Sequence, residues 1–162
     1  MERKAKTVKE SQIESFELVL PNDTNILGNL LGGRLMHFMD IAAALAAARH
    51  CNNVPVTAGV DNIQFHYPIH LGDIVILKAS VNRAFNTSME VGISVESENI
   101  KTGEITHSNS AYFTFVSIDS KTNKPIEVPE IIPGTPVEIR RFEQALKRRE
   151  QRLKEKHGII DG

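Results

Sequence analysis

The sequence predicts an α+β fold in which an antiparallel sheet covers one long helix. Three observations carry that reading. An alanine-rich apolar segment near residues 33–50 has helical spacing, four later runs are β-branched and alternating, and turn-forming residues separate those runs.

Residues 1–12 (MERKAKTVKESQ) are mostly charged and polar and read as a flexible N-terminal arm. Ser15 to Leu20 (SFELVL) alternates briefly and reads as a first strand, closed by Pro21. PNDTNILGNLLGG follows, rich in turn formers and broken by glycines. The helix comes next. Leu35, Met39, Ala42 and Ala46 repeat at helical intervals, and alanine is the best intrinsic helix former. Its small apolar sides predict burial, with room for a sheet to approach closely. The runs 56–69, 73–85, 88–100 and 104–119 read as four further strands. Turns at Leu71-Gly72-Asp73, Asn86-Thr87 and Lys101-Thr102-Gly103 divide them. The alternation in SMEVGISVESE marks an antiparallel strand with one face buried. Such a sheet leaves edges, and pairing them across a two-fold axis is the simplest way to cover them. A core domain over 13–120 and an extension over 121–162 are expected from the change of composition near the C-terminus. There EIRRFEQALKRREQRLKEK is strongly basic, with Ile139, Phe142, Leu146 and Leu153 near heptad spacing. A solvated helix, a helix laid on another subunit and an attractor of polyanions are all compatible with it.

With 162 residues the chain has the size of one domain and needs no disulfide or structural metal to bury a core. The single cysteine, Cys51, excludes an internal disulfide framework and fits a reducing cytoplasm. No apolar run approaches the roughly 20 residues of a membrane span, and the N-terminus has no signal-peptide pattern. A net charge of −1 argues against non-specific nucleic-acid binding.

Asp40 is the one acid in the apolar helix, between Met39 and Ile41. Burying a carboxylate is costly unless it is paired or reaches a cleft, so either a solvent-facing edge or a catalytic base is implied. Gly32 and Gly33 stand where the helix begins, and free N–H groups there suit a developing oxyanion. On its own a glycine pair is more often a simple turn. Asn25 lies in a polar turn, where it caps the loop or offers its amide to a substrate or water. Asp23 reads as a turn cap. His37 lies one turn before Asp40. His66 and His70, four apart, lack a third ligand for a metal site. No GxSxG element and no P-loop is present.

PNDTNILGNLLGGRLMHFMD followed by VTAGVDNIQFHYPIHLGD strongly resembles the hotdog-fold acyl-CoA thioesterases, in particular the bacterial YciA-like branch and the cytosolic acyl-CoA hydrolases of animals. The resemblance runs from about Phe16 to Asp119. The combined pattern DTN–x2–GN–x2–GG–x6–D with VDxIxFxxPIxxGD is specific, whereas either piece alone is not. The resemblance implies a hotdog fold, an antiparallel sheet of five or six strands wrapped around the helix. It further implies a homo-oligomer with the dimer as minimal active unit, commonly a trimer of dimers. Asp40 would activate water or attack the thioester directly, Asn25 of the partner subunit would place water or substrate, and Gly32 and Gly33 would receive the thioester oxygen. Arg83, Asn86, Thr87 and Ser88 would meet the CoA diphosphate, since one cation and several donors suit that group. The expected activity is hydrolysis of fatty acyl-CoA to fatty acid and CoA, with no cofactor beyond the substrate, no nucleic-acid partner and no membrane partner. The alternatives are an acyl-thioester hydratase or dehydratase with His66 as base, and a non-catalytic acyl-CoA-binding regulatory domain.

Overall fold

The computed structural model describes residues 2–160. Its elements in chain order are strands β1 (Ala5–Thr7) and β2 (Ile13–Leu18), helix α1 (Gly32–Cys51), strands β3 (Val54–Asp61), β4 (Ile74–Ala84), β5 (Ser88–Glu98), β6 (Ile105–Ile118) and β7 (Glu130–Ile132), and helix α2 (Pro136–Ile160). Five strands form an antiparallel sheet in the order β2-β4-β5-β6-β3, and β1 pairs with β7 in a separate parallel ribbon. The α+β expectation of a sheet covering one helix describes this architecture.

The core lies between α1 and one face of the sheet. Alternate residues of the central strands point at the helix, among them Val75, Leu77 and Val81 of β4, Met89, Val91 and Val95 of β5, and Phe113 and Phe115 of β6. They meet Leu35, Phe38, Met39, Ala42, Ala43, Ala46 and Ala47 on α1. The alanines keep the helix close to the sheet, and the large residues on the strands fill the remaining space.

Three expectations are corrected by this structure. The first strand runs over 13–18 and not 15–20. The strand expected over 56–69 stops at Asp61, because Asn62 takes a left-handed φ of 57° and Pro68 follows in the same segment. In place of a flexible arm, residues 5–11 form β1 and a short 3-10 turn that buries Val8 and Ser11. Ser11 Oγ accepts the Val81 N–H at 2.9 Å, which ties the arm to β4. The extension beyond residue 121 also joins the core, since Val128 and Ile131 belong to the same buried cluster as α1.

The basic helix α2 packs on the outer face of the sheet, opposite α1. Phe142, Ala145, Arg148 and Arg152 recur every three or four residues and form its inner face. Ala145 is fully buried, and Phe142 lies 3.9 Å under the Arg83 guanidinium. Ile139 and Leu153 of the heptad reading stay exposed, so the seam actually used is aromatic and basic. At its centre Glu90, fully buried, receives Arg148 Nε at 3.0 Å and Nη2 at 2.7 Å, and Asn82 Nδ2 at 3.0 Å. The Asn82 amide reaches Glu90 across Gly92, where a Cβ would stand 2.8 Å from its nitrogen. Burial disfavours the charge on Arg148, but the hydrogen bonds and charge of Glu90 outweigh it and raise the arginine above its ordinary pKa.

His50 closes α1 with no exposure, and its Nε2 donates to the Pro129 carbonyl at 2.7 Å. Its Nδ1 is buried without a partner, so a second proton would be a buried charge. Burial therefore holds His50 below the ordinary histidine pKa, against the opposing pull of the Pro129 carbonyl. As pH falls through about 6.5 the unfolded chain takes up this proton while the folded chain resists it. Stability contributed by His50 is thus present above that pH and lost below it. Urea midpoints measured from pH 7.5 to 5 are expected to fall more steeply for the wild type than for His50→Gln; parallel curves would contradict this.

Candidate active site

Asp40 sits midway along α1, partly buried. Its Oδ1 accepts a hydrogen bond of 2.6 Å from Thr57 Oγ1 on β3. Among the described residues no other hydrogen bond reaches the carboxylate, which leaves Oδ2 available. β3 carries a bulge between Thr57 and Gly59 in its pairing with β6, and a bulge re-aims the side chains beside it. Thr57 is a functional candidate that sequence reasoning missed. The only signal for it was a threonine just ahead of an Ala-Gly pair in a strand.

Gly32 and Gly33 form the first turn of α1, and both are exposed. The N–H groups of a first helical turn have no intrahelical acceptor, so these backbone donors face outward at the positive end of the helix dipole. The Phe65 ring lies over Gly32, 3.6 Å from where a Cβ would stand, whereas the position of a Cβ on Gly33 is open.

The loop before α1 is rigidly built. Asp23, buried, accepts the Leu20 N–H at 3.0 Å and Arg34 Nε at 2.8 Å, so it caps its turn as expected and also ties the loop to the helix. Asn25 Oδ1 accepts the N–H groups of Leu27 at 2.9 Å and Asn29 at 3.2 Å. With its oxygen occupied by the turn, the exposed Asn25 amide has only its NH2 to offer outward, as a donor. Asn29 Oδ1 meets His70 Nδ1 at 2.8 Å, which locks this loop to the one entering β4. Asp73 completes that second loop by accepting the His70 N–H at 2.9 Å.

Within one chain these residues do not form a single cluster. Asp40, Thr57, Gly32 and Gly33 belong to α1 and the adjoining β3. No hydrogen bond joins Asn25 to Asp40 in the same chain. Asn86, Thr87 and Ser88 form the β4–β5 turn, closed by Phe85 N–H to the Ser88 carbonyl at 2.8 Å. Ser88 pairs with Val116, which pairs with Val56, so this turn lies at the end of the sheet where β3 begins. Gly32 lies at the other end, where β3 finishes. Arg83 is turned toward α2, donating from Nη1 to the Phe142 carbonyl at 3.2 Å. His37 and His66 are exposed.

The model of the Thioesterase superfamily matches residues 27–104. The protein VdlD of Helicobacter pylori is 46% identical over 148 residues, covering 91% of this chain and 84% of its own. The structure of an apo-hexameric acyl-CoA thioesterase superposes with a TM-score of 0.89 at 38% identity, covering 94% of this chain and 97% of that one. An acyl-CoA hydrolase from Staphylococcus aureus, solved with butyryl coenzyme A and coenzyme A, gives a TM-score of 0.86 at 32% identity, covering 97% of each chain. The hotdog fold with five sheet strands around α1, together with these similarities, establishes that the chain belongs to the hotdog-fold acyl-CoA thioesterases.

Proposed function

We propose that this protein hydrolyses fatty acyl-CoA to free acid and CoA, with Asp40 as the catalytic carboxylate. The observation that carries the reading is the Thr57–Asp40 hydrogen bond, which fixes one carboxylate oxygen and leaves the other to act. Asp40 Oδ2 takes a proton from a water molecule, and the water oxygen attacks the thioester carbonyl carbon. The carbonyl oxygen, now negative, is received by backbone N–H groups at Gly32 and Gly33. The tetrahedral intermediate then expels the CoA thiolate, and the proton on Asp40 returns to the leaving sulfur. General-base catalysis supplies roughly 10²–10⁴-fold in such a step.

Support comes from a relative. The Staphylococcus aureus hydrolase has been solved with an asparagine, an aspartate or a threonine replaced by alanine. Those three residues are separated by the same intervals in sequence as Asn25, Asp40 and Thr57 here. Neighbours described as acyl-CoA hydrolases, one of them holding CoA, favour hydrolysis over hydration or passive binding.

The active unit in this reading is a homo-oligomer, with a two-fold dimer at minimum and a trimer of dimers as the full assembly, and the description of two solved relatives as hexameric supports an assembly of that size. Val54 and Val56 on the edge strand β3 are half exposed, as are Ile41 and Leu45 on α1. Antiparallel pairing of β3 with its symmetry mate would cover these side chains. It would also bring the partner's Asn25 loop and α1 N-terminus beside this chain's β4–β5 turn. The acyl chain then lies along the apolar seam, and the nucleotide rests on Asn86, Thr87 and Ser88, with Arg83 at the margin. Among the described residues no helix is long and apolar enough to cross a membrane. The single unpaired Cys51, and relatives described as cytosolic acyl coenzyme A thioester hydrolases, support work in the cytoplasm.

Release of CoA thiol from short, medium and long acyl-CoAs tests the reaction. Thiol release is the expected result. An absorbance change with enoyl-CoA but no free thiol would replace hydrolysis by hydration, and saturable binding without turnover would replace it by ligand sensing.

A further inference from the structure

We propose that Arg152, on the C-terminal helix, is a positioning residue for the loop that covers the oxyanion end of the site; this rests on the hydrolase reading above. Arg152 Nη1 reaches Asp61 Oδ2 at 2.5 Å and Glu90 Oε2 at 3.9 Å. Asp61 is the last residue of β3, the strand that also carries Thr57. The segment 62–66 follows, beginning at the left-handed Asn62. Among the described residues no hydrogen bond reaches any residue of 62–66. Its far end is held where Ser108 Oγ donates to the Tyr67 carbonyl at 3.1 Å and Ile69 is buried. Its near end is held by the pairing of Asp61 with Tyr112 of β6 and by the Asp61 side chain on Arg152.

Phe65, in the middle of this segment, lays its ring over Gly32. Between its ends the segment is held by the packing of Ile63 against the core and by no hydrogen bond among the described residues, so the Arg152–Asp61 pair helps to set where Phe65 lies. The remaining inner-face contacts of α2, Arg148 on Glu90 and Phe142 under Arg83, dock the helix and bring Arg152 to this reach. The basic extension thus acts on the chemistry by holding one wall of the site, without touching substrate. Small misplacements at a reacting centre lower the rate steeply, so the effect belongs in turnover more than in binding.

The test compares full-length wild type, Arg152→Gln, Arg152→Lys, Asp61→Asn and the control Arg149→Gln. Arg149 lies on the same helix, with its guanidinium 4.5 Å from the Phe85 ring centroid. The readouts are NMR order parameters of the Ile63 methyl group, with Ile74, Ile76 and Ile93 of the sheet as reference, and kcat and KM for thiol release. Arg152→Gln and Asp61→Asn are expected to lower the Ile63 methyl order parameter and to lower kcat by roughly five-fold or more, with KM changed by less than about two-fold. Arg152→Lys restores much of both, and Arg149→Gln alters neither. An unchanged Ile63 order parameter, a fall shared equally by Ile74, Ile76 and Ile93, or an equal loss in Arg149→Gln would overturn the proposal. Should Arg152→Gln fail to fold, Asp61→Asn reads the same contact from its other side. Absence of thiol release by the wild type would overturn the hydrolase reading, while the Ile63 order parameter still decides whether Arg152 holds the loop.

Discussion

Replacing Asp40 by asparagine is expected to lower kcat for acyl-CoA hydrolysis by at least about two orders of magnitude, with a much smaller change in KM. The substitution keeps the shape of the side chain and an oxygen able to accept the Thr57 hydroxyl, so the α1–β3 contact survives. What disappears is the basic oxygen that takes the proton from water. An interaction needed chiefly in the transition state shows in kcat, whereas the surfaces that hold CoA and the acyl chain are untouched. Asp40→Asn with near wild-type turnover would remove Asp40 from the mechanism and return it to a structural role.

Removing the buried carboxylate on the opposite face of the sheet should produce the largest loss of stability. Glu90→Ala strips the acceptor from Arg148 and from the Asn82 amide, both buried or nearly so. Breaking one side of a buried ion pair costs about 3–5 kcal/mol, because the remaining charge is left without a partner. The chemical denaturation midpoint should fall accordingly, and α2 should lose protection from hydrogen exchange before the sheet does. Replacing Glu90 and Arg148 together by leucine and methionine should recover much of the loss, since apolar residues leave no unpaired charge. A loss below about 1 kcal/mol for Glu90→Ala would mean that α2 is held by other contacts.

The sheet and α1 were readable from sequence because their signals are local: helical spacing in 33–50 and alternation in the strands. Asp40 stood out for a physical reason, as a carboxylate in an apolar helix. Thr57 did not, because its importance depends on a bulge in β3 that turns it toward α1. The left-handed Asn62 ended β3 earlier than the β-rich run 56–69 suggested. The role of α2 was hidden for a different reason. Its inner face is arginine and phenylalanine, and a basic stripe reads as solvated until the buried Glu90 opposite it is seen. Glu90 was equally silent, since in an alternating strand it counts as an outward polar residue. The pairing of Arg148 with Glu90 joins residues far apart in the chain, and no pattern within either segment announces it.

The central claim is a hydrolytic site that Asp40 of one subunit shares with Asn25 of its partner. Mixing the two inactive variants Asp40→Asn and Asn25→Ala, with unfolding and reassembly together, tests it most directly through thiol release. A mixed dimer carries one site with both substitutions and one with neither. Random assembly should therefore restore about a quarter of wild-type activity per subunit. Restoration to that level is the predicted result, and a mixture as inactive as its components would contradict a site shared between subunits.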